Sequence, residues 1–166
     1  MKKLHLGCGP NYLEGYVNVD TAPAVKKDLV WDLTKLPLPF EENSVDYILC
    51  WNVMEHLEMN PIKFMEEMYR ILKPGGIFRF RVPLAGTIVH YKDPEHKNHF
   101  TPYFLKFFNG REKGWYTKAR FGGKIWVTPP IFHNLRLPRI FYALNSFVNN
   151  IVTGLEGEFV AVKARE

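Results

Sequence analysis

Short apolar runs separated by polar turns dominate the first half of the chain, and this pattern predicts a sheet of parallel strands. The run at residues 4–6 is too short for a helix and leads directly into a glycine turn at residues 7–9. Further strands are predicted at residues 16–20, 28–33 and 45–50. Because these strands are apolar throughout rather than strictly alternating, we expect them to be buried on both faces, as in an α/β protein.

A helix is predicted to follow the fourth strand. Asn60 can cap its first turn, and Pro61 suits the first helical position. One face of this helix is apolar and comprises Ile62, Met65, Met68, Tyr69 and Leu72. We expect the helix to end at the Pro-Gly-Gly sequence of residues 74–76, and the next strand to span residues 77–82 and to end at Pro83.

The second half of the chain has a less regular pattern, which begins with a predicted loop over residues 84–100. The other predicted elements are a short aromatic helix over residues 103–109, a strand pair around Gly122-Gly123 with residues 124–128 as its stronger strand, a helix that begins at Pro138, and an alternating strand over residues 158–163. We expect this last strand at an antiparallel edge of the sheet. Residues 1–166 are thus predicted to form a single domain with two halves, residues 1–83 and 84–166.

The connection between the first two strands is unusually short. Ten residues separate Gly9 from Asp20, whereas a crossover with its helix needs about a dozen. The dinucleotide pattern Gly-x-Gly-x-x-Gly is also broken, because Tyr12 occupies the third glycine position, so NAD and FAD are disfavoured. A glycine turn followed by a carboxylate at a strand tip still outlines a nucleoside site, since a carboxylate can accept both hydrogen bonds of a ribose diol.

Composition places the chain among ordinary globular proteins. Of its 166 residues, 46% are hydrophobic and 23% are charged. No run of about eighteen apolar residues is present, so no transmembrane helix is predicted, and residues 4–8 are too short for the apolar core of a signal peptide. Cys8 and Cys50 lack the spacing of a metal or redox motif, which favours free thiols in a reducing cytoplasm.

Charge is unevenly distributed along the chain. Residues 1–60 contain five Lys or Arg against nine Asp or Glu, whereas residues 103–140 contain eight Lys or Arg and one acidic residue, Glu112. A basic segment that is also rich in aromatic residues suits an anionic substrate, RNA or a lipid surface. A solvated basic face over an aromatic core explains the same pattern, so charge alone leaves the partner open.

Six segments, in order and at plausible spacing, resemble class I S-adenosylmethionine-dependent methyltransferases over residues 4–83. They are His5-Leu6-Gly7-Cys8-Gly9, Val19-Asp20, Asp32-Leu33, Ser44-Val45-Asp46, Val53-Met54-Glu55-His56-Leu57 and Tyr69-Arg70-Ile71-Leu72-Lys73-Pro74-Gly75-Gly76. Asp93-Pro94-Glu95-His96 and His99-Phe100-Thr101-Pro102 resemble a bacterial branch that acts on small molecules or glycoconjugates and has a similarly short first crossover. The resemblance implies a doubly wound Rossmann-like sheet, mostly parallel, with an antiparallel edge strand.

The resemblance also implies the cofactor and its contacts. S-adenosyl-L-methionine would be the methyl donor and S-adenosyl-L-homocysteine the product. Asp20 would hold the ribose hydroxyls, and Asp32 would accept from the adenine amine. The other implied cofactor residues are Leu6, Gly7, Cys8, Gly9 and Asn11 in the first turn, Leu33 beside the adenine, Cys50, Trp51 and Asn52 at the methionine end, and His56 near the transferred methyl group.

A base is needed if the acceptor is an alcohol or amine that must lose a proton. The candidates are His56, His90, His96 and His99, with Asp93 as an orienting partner, because histidine titrates near neutral pH. The spacing of three between several of these residues could suit zinc on a helix. Pro94 interrupts a helix there, so no metal is predicted, and a lid or an acceptor-binding loop is the favoured interpretation.

The predicted function is methyl transfer to an oxygen or nitrogen of a small-molecule or glycoconjugate acceptor in the cytoplasm. We expect residues 84–108, residues 111–137 or another subunit to recognise the acceptor. An anionic acceptor would suit the basic second half of the chain, and the sequence is compatible with an oligomer. One alternative is an RNA-directed methyltransferase or nucleic-acid-binding protein, although no Asn-Pro-Pro-Tyr base-flipping motif is present. The other is a non-catalytic module that binds the cofactor without turnover.

Overall fold

The computed structural model describes residues 1–108, 116–128 and 153–163. Their elements are strands β1 (Lys3–Leu6), β2 (Val17–Asp20), β3 (Leu29–Val30), β4 (Val45–Trp51), β5 (Leu72–Pro83), β6 (Phe121–Thr128) and β7 (Gly154–Ala161), helices α1 (Pro61–Ile71) and α2 (Ile88–Tyr91), and a 3-10 turn at Phe104–Phe107. The strands form one sheet in the order β3-β2-β1-β4-β5-β7-β6. The mostly parallel α/β sheet with antiparallel pairing at one edge is therefore confirmed.

Strands β1 to β5 are parallel, so their carboxyl ends lie along one edge of the sheet. Leu6 pairs with Val19 of β2 on one side and with Cys50 of β4 on the other. All three side chains are buried. This register sets the glycine turn after β1 beside the acidic end of β2 and the segment that follows β4.

No helix joins β1 to β2, which confirms the predicted short crossover. The buried Asn18 side chain organises this connection instead. Its Oδ1 accepts from the backbone N–H of Leu13 at 2.9 Å, and its Nδ2 donates to the carbonyl of Leu13 at 2.9 Å and to Asp28 Oδ2 at 2.9 Å. Side-chain hydrogen bonds thus satisfy backbone groups that a crossover helix would satisfy internally.

Helix α1 begins as predicted. Asn60 Oδ1 accepts from the backbone N–H of Ile62 at 2.9 Å, and Pro61 occupies the first turn. The inner face consists of Phe64, Met65, Met68 and Ile71, each at most 1% exposed. Burial of each such side chain contributes about 1.5–3 kcal/mol, which fixes the helix on the sheet.

The predicted end of α1 is wrong by several residues. The helix ends at Ile71, and β5 starts at Leu72, so the Pro-Gly-Gly sequence lies within the strand rather than between the two elements. Leu72 pairs with Val45 of β4, and the register shifts before Ile77 pairs with Tyr47. This irregularity accommodates the extra residues of the Pro-Gly-Gly sequence, so these residues lie within β5 although their types are typical of a turn.

Two predictions at the antiparallel edge also need correction. The strand predicted at residues 158–163 is β7, which starts earlier, at Gly154, and lies between β5 and β6 rather than at the edge. Residues 121–128 form one continuous strand, β6, at this edge instead of a strand pair around the two glycines. A Cβ at Gly123 would collide with the carbonyl oxygen of Glu158, so the glycine permits close pairing here.

The segment after β5 is mainly loop, as predicted, with one helical turn at α2. The predicted aromatic helix is shorter in the structure, where Phe104–Phe107 forms a 3-10 turn. Outside the described residues lie Asn109, Gly110 and the helix predicted from Pro138. The ring of Phe104 packs on Phe80, Phe100, Phe108 and Phe159. No described helix is long and apolar enough to cross a membrane.

Candidate cofactor and acceptor site

A cavity of about 280 Å³ opens at the carboxyl edge of the parallel strands. Six of the residues predicted to bind a cofactor line it: Gly7, Asp20, Asp32, Leu33, Asn52 and His56. Thr21, Trp31, Val53 and Leu57 line it as well. Its volume is close to the lower end of the range for small-molecule sites, about 300–1,000 Å³.

The glycine turn packs directly against the segment that follows β4. Gly7 has a φ of +62°, and its backbone N–H donates to the carbonyl of Val19 at 2.8 Å. A Cβ at Gly7 would collide with a methyl group of Val53 and lie 3.0 Å from the other methyl carbon. Only glycine therefore allows both this turn and the close contact with the wall of the cavity.

The Asp20 carboxylate is held in place by backbone amides. Its Oδ2 accepts from Gly9 N–H at 2.8 Å, and its Oδ1 accepts from Ala22 N–H at 2.8 Å. A carboxylate offers about four lone-pair sites, so the two oxygens retain acceptor capacity for hydroxyl groups in the cavity. This geometry fits the predicted role of Asp20 toward a ribose diol.

The second carboxylate of the cavity, Asp32, is oriented through one oxygen. Its Oδ1 accepts from the hydroxyl of Thr34 at 2.7 Å and from the Thr34 N–H at 2.9 Å. These hydrogen bonds, the hydroxyl first, lower the pKa of the Asp32 carboxyl below its usual range. The carboxylate is therefore ionised at neutral pH, and its oxygens can accept from an adenine amine.

The other predicted cofactor residues do not line the cavity. Leu6, Cys8 and Cys50 are buried in the core, Gly9 and Asn11 belong to the turn beside it, and Trp51 is partly exposed. Burial raises the pKa of the Cys8 thiol and raises that of Cys50 well above its usual value, so neither is a ready nucleophile. Their side chains support the strand ends, and any cofactor contact from these positions stays a prediction.

Four cavity residues were missed by the sequence reasoning. Thr21 and Trp31 are the sequence neighbours of Asp20 and Asp32, so their positions at the strand tips could have indicated them. Val53 and Leu57 belong to a segment that the resemblance already included. The role of Val53 depends on contact with Gly7, which no local pattern reveals.

The predicted catalytic residues form one cluster. The ring of His56 lies 4.8 Å from that of His96, between centroids, and the ring of His90 lies 5.1 Å from His96 and 4.8 Å from His99. Asp93 Oδ2 is 3.8 Å from His96 Nε2. The structure thus unites residues from two distant segments, and His56 connects the cluster to the cavity.

Hydrogen bonds fix the inner part of this cluster. His90 Nε2 and His99 Nδ1 are 2.6 Å apart, so one of the two nitrogens carries the shared proton. Burial, followed by the nearby His99 and His96, lowers the pKa of His90. His90 is therefore neutral at physiological pH.

Glu55, which the sequence reasoning left without a role, lies next to this cluster. Its side chain is fully buried, and neither carboxylate oxygen has a hydrogen-bond partner among the described residues. Burial raises the pKa of Glu55 to about 7, and the charge of Asp93 adds to the increase. A buried acid without a partner is costly, so it points to a ligand or to a held proton.

A second cavity of about 320 Å³ adjoins the first and shares Asn52 with it. Its lining combines residues of both halves of the chain: Asn52, Arg81, Val82, Pro83, Val89, Thr128, Thr153 and Gly154. The guanidinium of Arg81 donates to Glu156 Oε1 at 2.6 Å and lies 4.9 Å from the centre of the Trp51 ring. Asn52 itself has a φ of +53°, and its N–H donates to the Arg81 carbonyl at 2.8 Å.

Sequence comparison identifies related proteins for the first half of the chain. Residues 4–80 match a family model described as "Methyltransferase domain". Over 81 residues the chain is 32% identical to a protein of Mycolicibacterium smegmatis named "Probable S-adenosylmethionine-dependent methyltransferase", which covers 49% of this chain and 29% of that protein. The chain spans less than a third of the length of the curated relatives it matches, with shares of 29% and 17%.

Structural comparison extends over nearly the whole chain. A crystal structure of an S-adenosylmethionine-dependent methyltransferase from Archaeoglobus fulgidus has a TM-score of 0.69 at 18% identity, and covers 96% of this chain and 85% of that one. Phosphoethanolamine N-methyltransferase 2 of Haemonchus contortus, in complex with S-adenosyl-L-methionine, has a TM-score of 0.62 at 15% identity, and covers 98% of this chain and 49% of that one. At such identities the likeness establishes the fold. Residues 4–80 thus match the methyltransferase domain family, as the resemblance predicts, and the chain has the fold of solved S-adenosylmethionine-dependent methyltransferases.

Proposed function

We propose that the protein transfers a methyl group from S-adenosylmethionine to an oxygen or nitrogen of a small-molecule or glycoconjugate acceptor. The main support is the pair of adjoining cavities, which share Asn52. The first contains the two oriented carboxylates, Asp20 and Asp32, which suit the ribose and adenine of the cofactor. The second would have room for an acceptor beside the reacting end of a cofactor bound in the first.

The second cavity has the mixed lining that is common in small-molecule sites. Val82, Pro83 and Val89 provide apolar surface, while Thr128, Thr153 and Arg81 provide polar groups. A cavity of about 320 Å³ has room for a compact acceptor or for the terminal unit of a glycoconjugate.

The chemistry asks the protein mainly to position its substrates. S-adenosylmethionine supplies an electrophilic methyl carbon when bound. Asp20 and Asp32 would fix the nucleoside, and the Gly7 turn would leave room for the methionine part. The histidine cluster, which reaches the cavity through His56, can take up the proton that an alcohol or amine acceptor loses.

A methyl-transfer assay tests this proposal. The purified chain would be incubated with S-adenosylmethionine carrying a labelled methyl group and with panels of alcohols, amines, glycans and RNA. Label should pass to a small-molecule or glycan acceptor, and a His96→Ala variant should lose this transfer while it binds S-adenosylhomocysteine as the wild type does. The control is Glu58→Gln, an exposed carboxylate two residues after His56 in the sequence. Transfer to RNA alone, or full activity of His96→Ala, would contradict the proposal.

A further inference from the structure

The segment around Glu55 is joined by four hydrogen bonds to the loop of residues 84–100, which carries His90, His96 and His99. The carbonyl of Glu55 accepts from the N–H groups of Lys97 at 2.6 Å and Asn98 at 3.0 Å. The side-chain amide of Asn98 donates to the carbonyls of Met54 at 3.0 Å and Leu57 at 2.7 Å. These bonds hold His96 beside Glu55 and His56, although about forty residues separate the two segments in the sequence.

One imidazole of this group presents a free lone pair. His96 Nδ1 lies 2.6 Å from the backbone carbonyl oxygen of His90. A carbonyl only accepts hydrogen bonds, so Nδ1 carries the proton and Nε2 is unprotonated in the neutral ring. Metal-binding histidines usually have this arrangement: one ring N–H donates to a backbone carbonyl, and the lone pair of the other nitrogen binds the cation.

We infer that Glu55, His56 and His96 form a binding site for a divalent transition-metal ion, zinc above all. One donor atom from each residue lies within 4.8 Å of the others. Tetrahedral bonds of about 2.0–2.1 Å would place such atoms about 3.4 Å apart, so the site must contract by up to about 1.4 Å. His56 is exposed and can make this adjustment by side-chain rotation.

The unpaired carboxylate is the independent observation that points to a cation. Glu55 is fully buried, and both of its oxygens lack a partner among the described residues. Asp93, 3.8 Å from His96 Nε2, adds a second negative charge nearby. A cation would satisfy the buried carboxylate and offset both charges.

The donor set indicates which ion is bound. Mg²⁺ and Ca²⁺ prefer oxygen ligands, whereas two imidazoles and a carboxylate match zinc and its first-row neighbours. Three protein ligands leave a fourth position open, as in catalytic zinc sites. A helical metal set of His90, Asp93, His96 and His99 is disfavoured by Pro94. This site differs because two of its ligands come from the segment after β4.

The site also suggests a role, which rests on the function proposed above. His56 belongs both to the metal site and to the wall of the cofactor cavity. An acceptor hydroxyl that occupied the open position would lose its proton more readily, because a bound divalent cation lowers the pKa of a coordinated oxygen. His56 would then act as a ligand rather than as the base.

Calorimetric titration with ZnCl₂ after treatment with a chelator tests the metal site without reference to activity. The wild type should bind one Zn²⁺ per chain, and Co²⁺ should give the absorption spectrum of a four-coordinate site. Glu55→Gln and His96→Ala should each weaken Zn²⁺ binding by at least about 100-fold. Glu58→Gln, an exposed acid three residues along the chain, should bind as the wild type does.

Absence of Zn²⁺ binding to the wild type, or equal affinity in the wild type and Glu55→Gln, would overturn the metal site. Preference for Mg²⁺ over Zn²⁺ would overturn it too. Titration of the same samples with S-adenosylhomocysteine separates this inference from the proposed function. If the wild type binds S-adenosylhomocysteine but no Zn²⁺, only the metal site fails.

Discussion

Replacement of Gly7 by alanine is expected to reduce both the stability of the protein and its affinity for the cofactor. The φ of +62° costs a residue with a Cβ about 1–2 kcal/mol. The new Cβ would also lie 3.0 Å from one methyl carbon of Val53, 3.3 Å from its Cβ, and still closer to the other methyl carbon. These distances are below the optimum of about 3.5–4.0 Å, and such overpacking costs about 1–3 kcal/mol. The total loss of unfolding free energy is therefore about 2–5 kcal/mol.

Gly9→Ala is the matched control. Gly9 has a similar φ of +50°, but a Cβ there would meet no heavy atom within 4 Å. Its cost is the conformational part alone, about 1–2 kcal/mol. The difference between the two variants thus measures the contact with Val53, a residue of the cavity wall.

Urea unfolding and calorimetry with S-adenosylhomocysteine provide the two readouts. The midpoint of unfolding should fall further for Gly7→Ala than for Gly9→Ala at an unchanged m-value. Val53→Ala in the Gly7→Ala background should restore part of the stability and of the affinity, because it removes the clashing methyl groups. Equal losses for Gly7→Ala and Gly9→Ala, with no rescue by Val53→Ala, would refute the packing argument.

Three further predictions concern the frame of the site. The backbone and side-chain amides of Asn18 lower the pKa of the Asp28 carboxyl below its ordinary 3.8. The stabilisation by Asp28 is therefore complete above pH 3.8 and is lost as the pH falls through the lower pKa of the folded state. The unfolding midpoint of Asp28→Asn should lack this acid dependence, and the same loss of stability in acid as in the wild type would contradict the prediction. Asn52→Val should cost about 1–2 kcal/mol in urea unfolding because of the φ of +53°, whereas Asn52→Gly should not, and equal costs would argue against strain. Glu67→Ala should lower the free energy of unfolding by about 3 kcal/mol, because the buried carboxylate accepts from a backbone amide at 2.7 Å and from an arginine at 2.6 Å. Glu66→Ala removes an exposed ion pair and should change it by no more than about 0.5 kcal/mol. Similar losses in the two variants would show that burial is not the cause.

The parts of the fold that depend on local chemistry could be predicted from the sequence. Asn60 and Pro61 define the start of α1 because capping involves neighbouring residues only. The count of residues between Gly9 and Asp20 excludes a crossover helix for the same local reason. The two carboxylates of the cavity follow from the parallel strands, whose carboxyl ends share one edge.

Features that depend on distant partners could not be predicted in this way. The Pro-Gly-Gly sequence after α1 lies in a strand because β4 pairs with it through a register shift. The place of β7 between β5 and β6 depends on pairing across the sheet, which the alternating pattern of one strand does not determine. Glu55 gains its significance only when the loop that carries His96 packs against it.

The cavity at the ends of β1, β2 and β4 is expected to bind S-adenosylmethionine through Asp20. Calorimetric titration of the wild type and of Asp20→Ala with S-adenosylhomocysteine tests this binding. Asp46→Ala is the matched control, because Asp46 lies at the opposite end of β4 and pairs with Lys73. One molecule should bind per chain in the wild type and in Asp46→Ala, whereas Asp20→Ala should show no detectable binding. Absence of binding to the wild type, or unchanged affinity in Asp20→Ala, would contradict it.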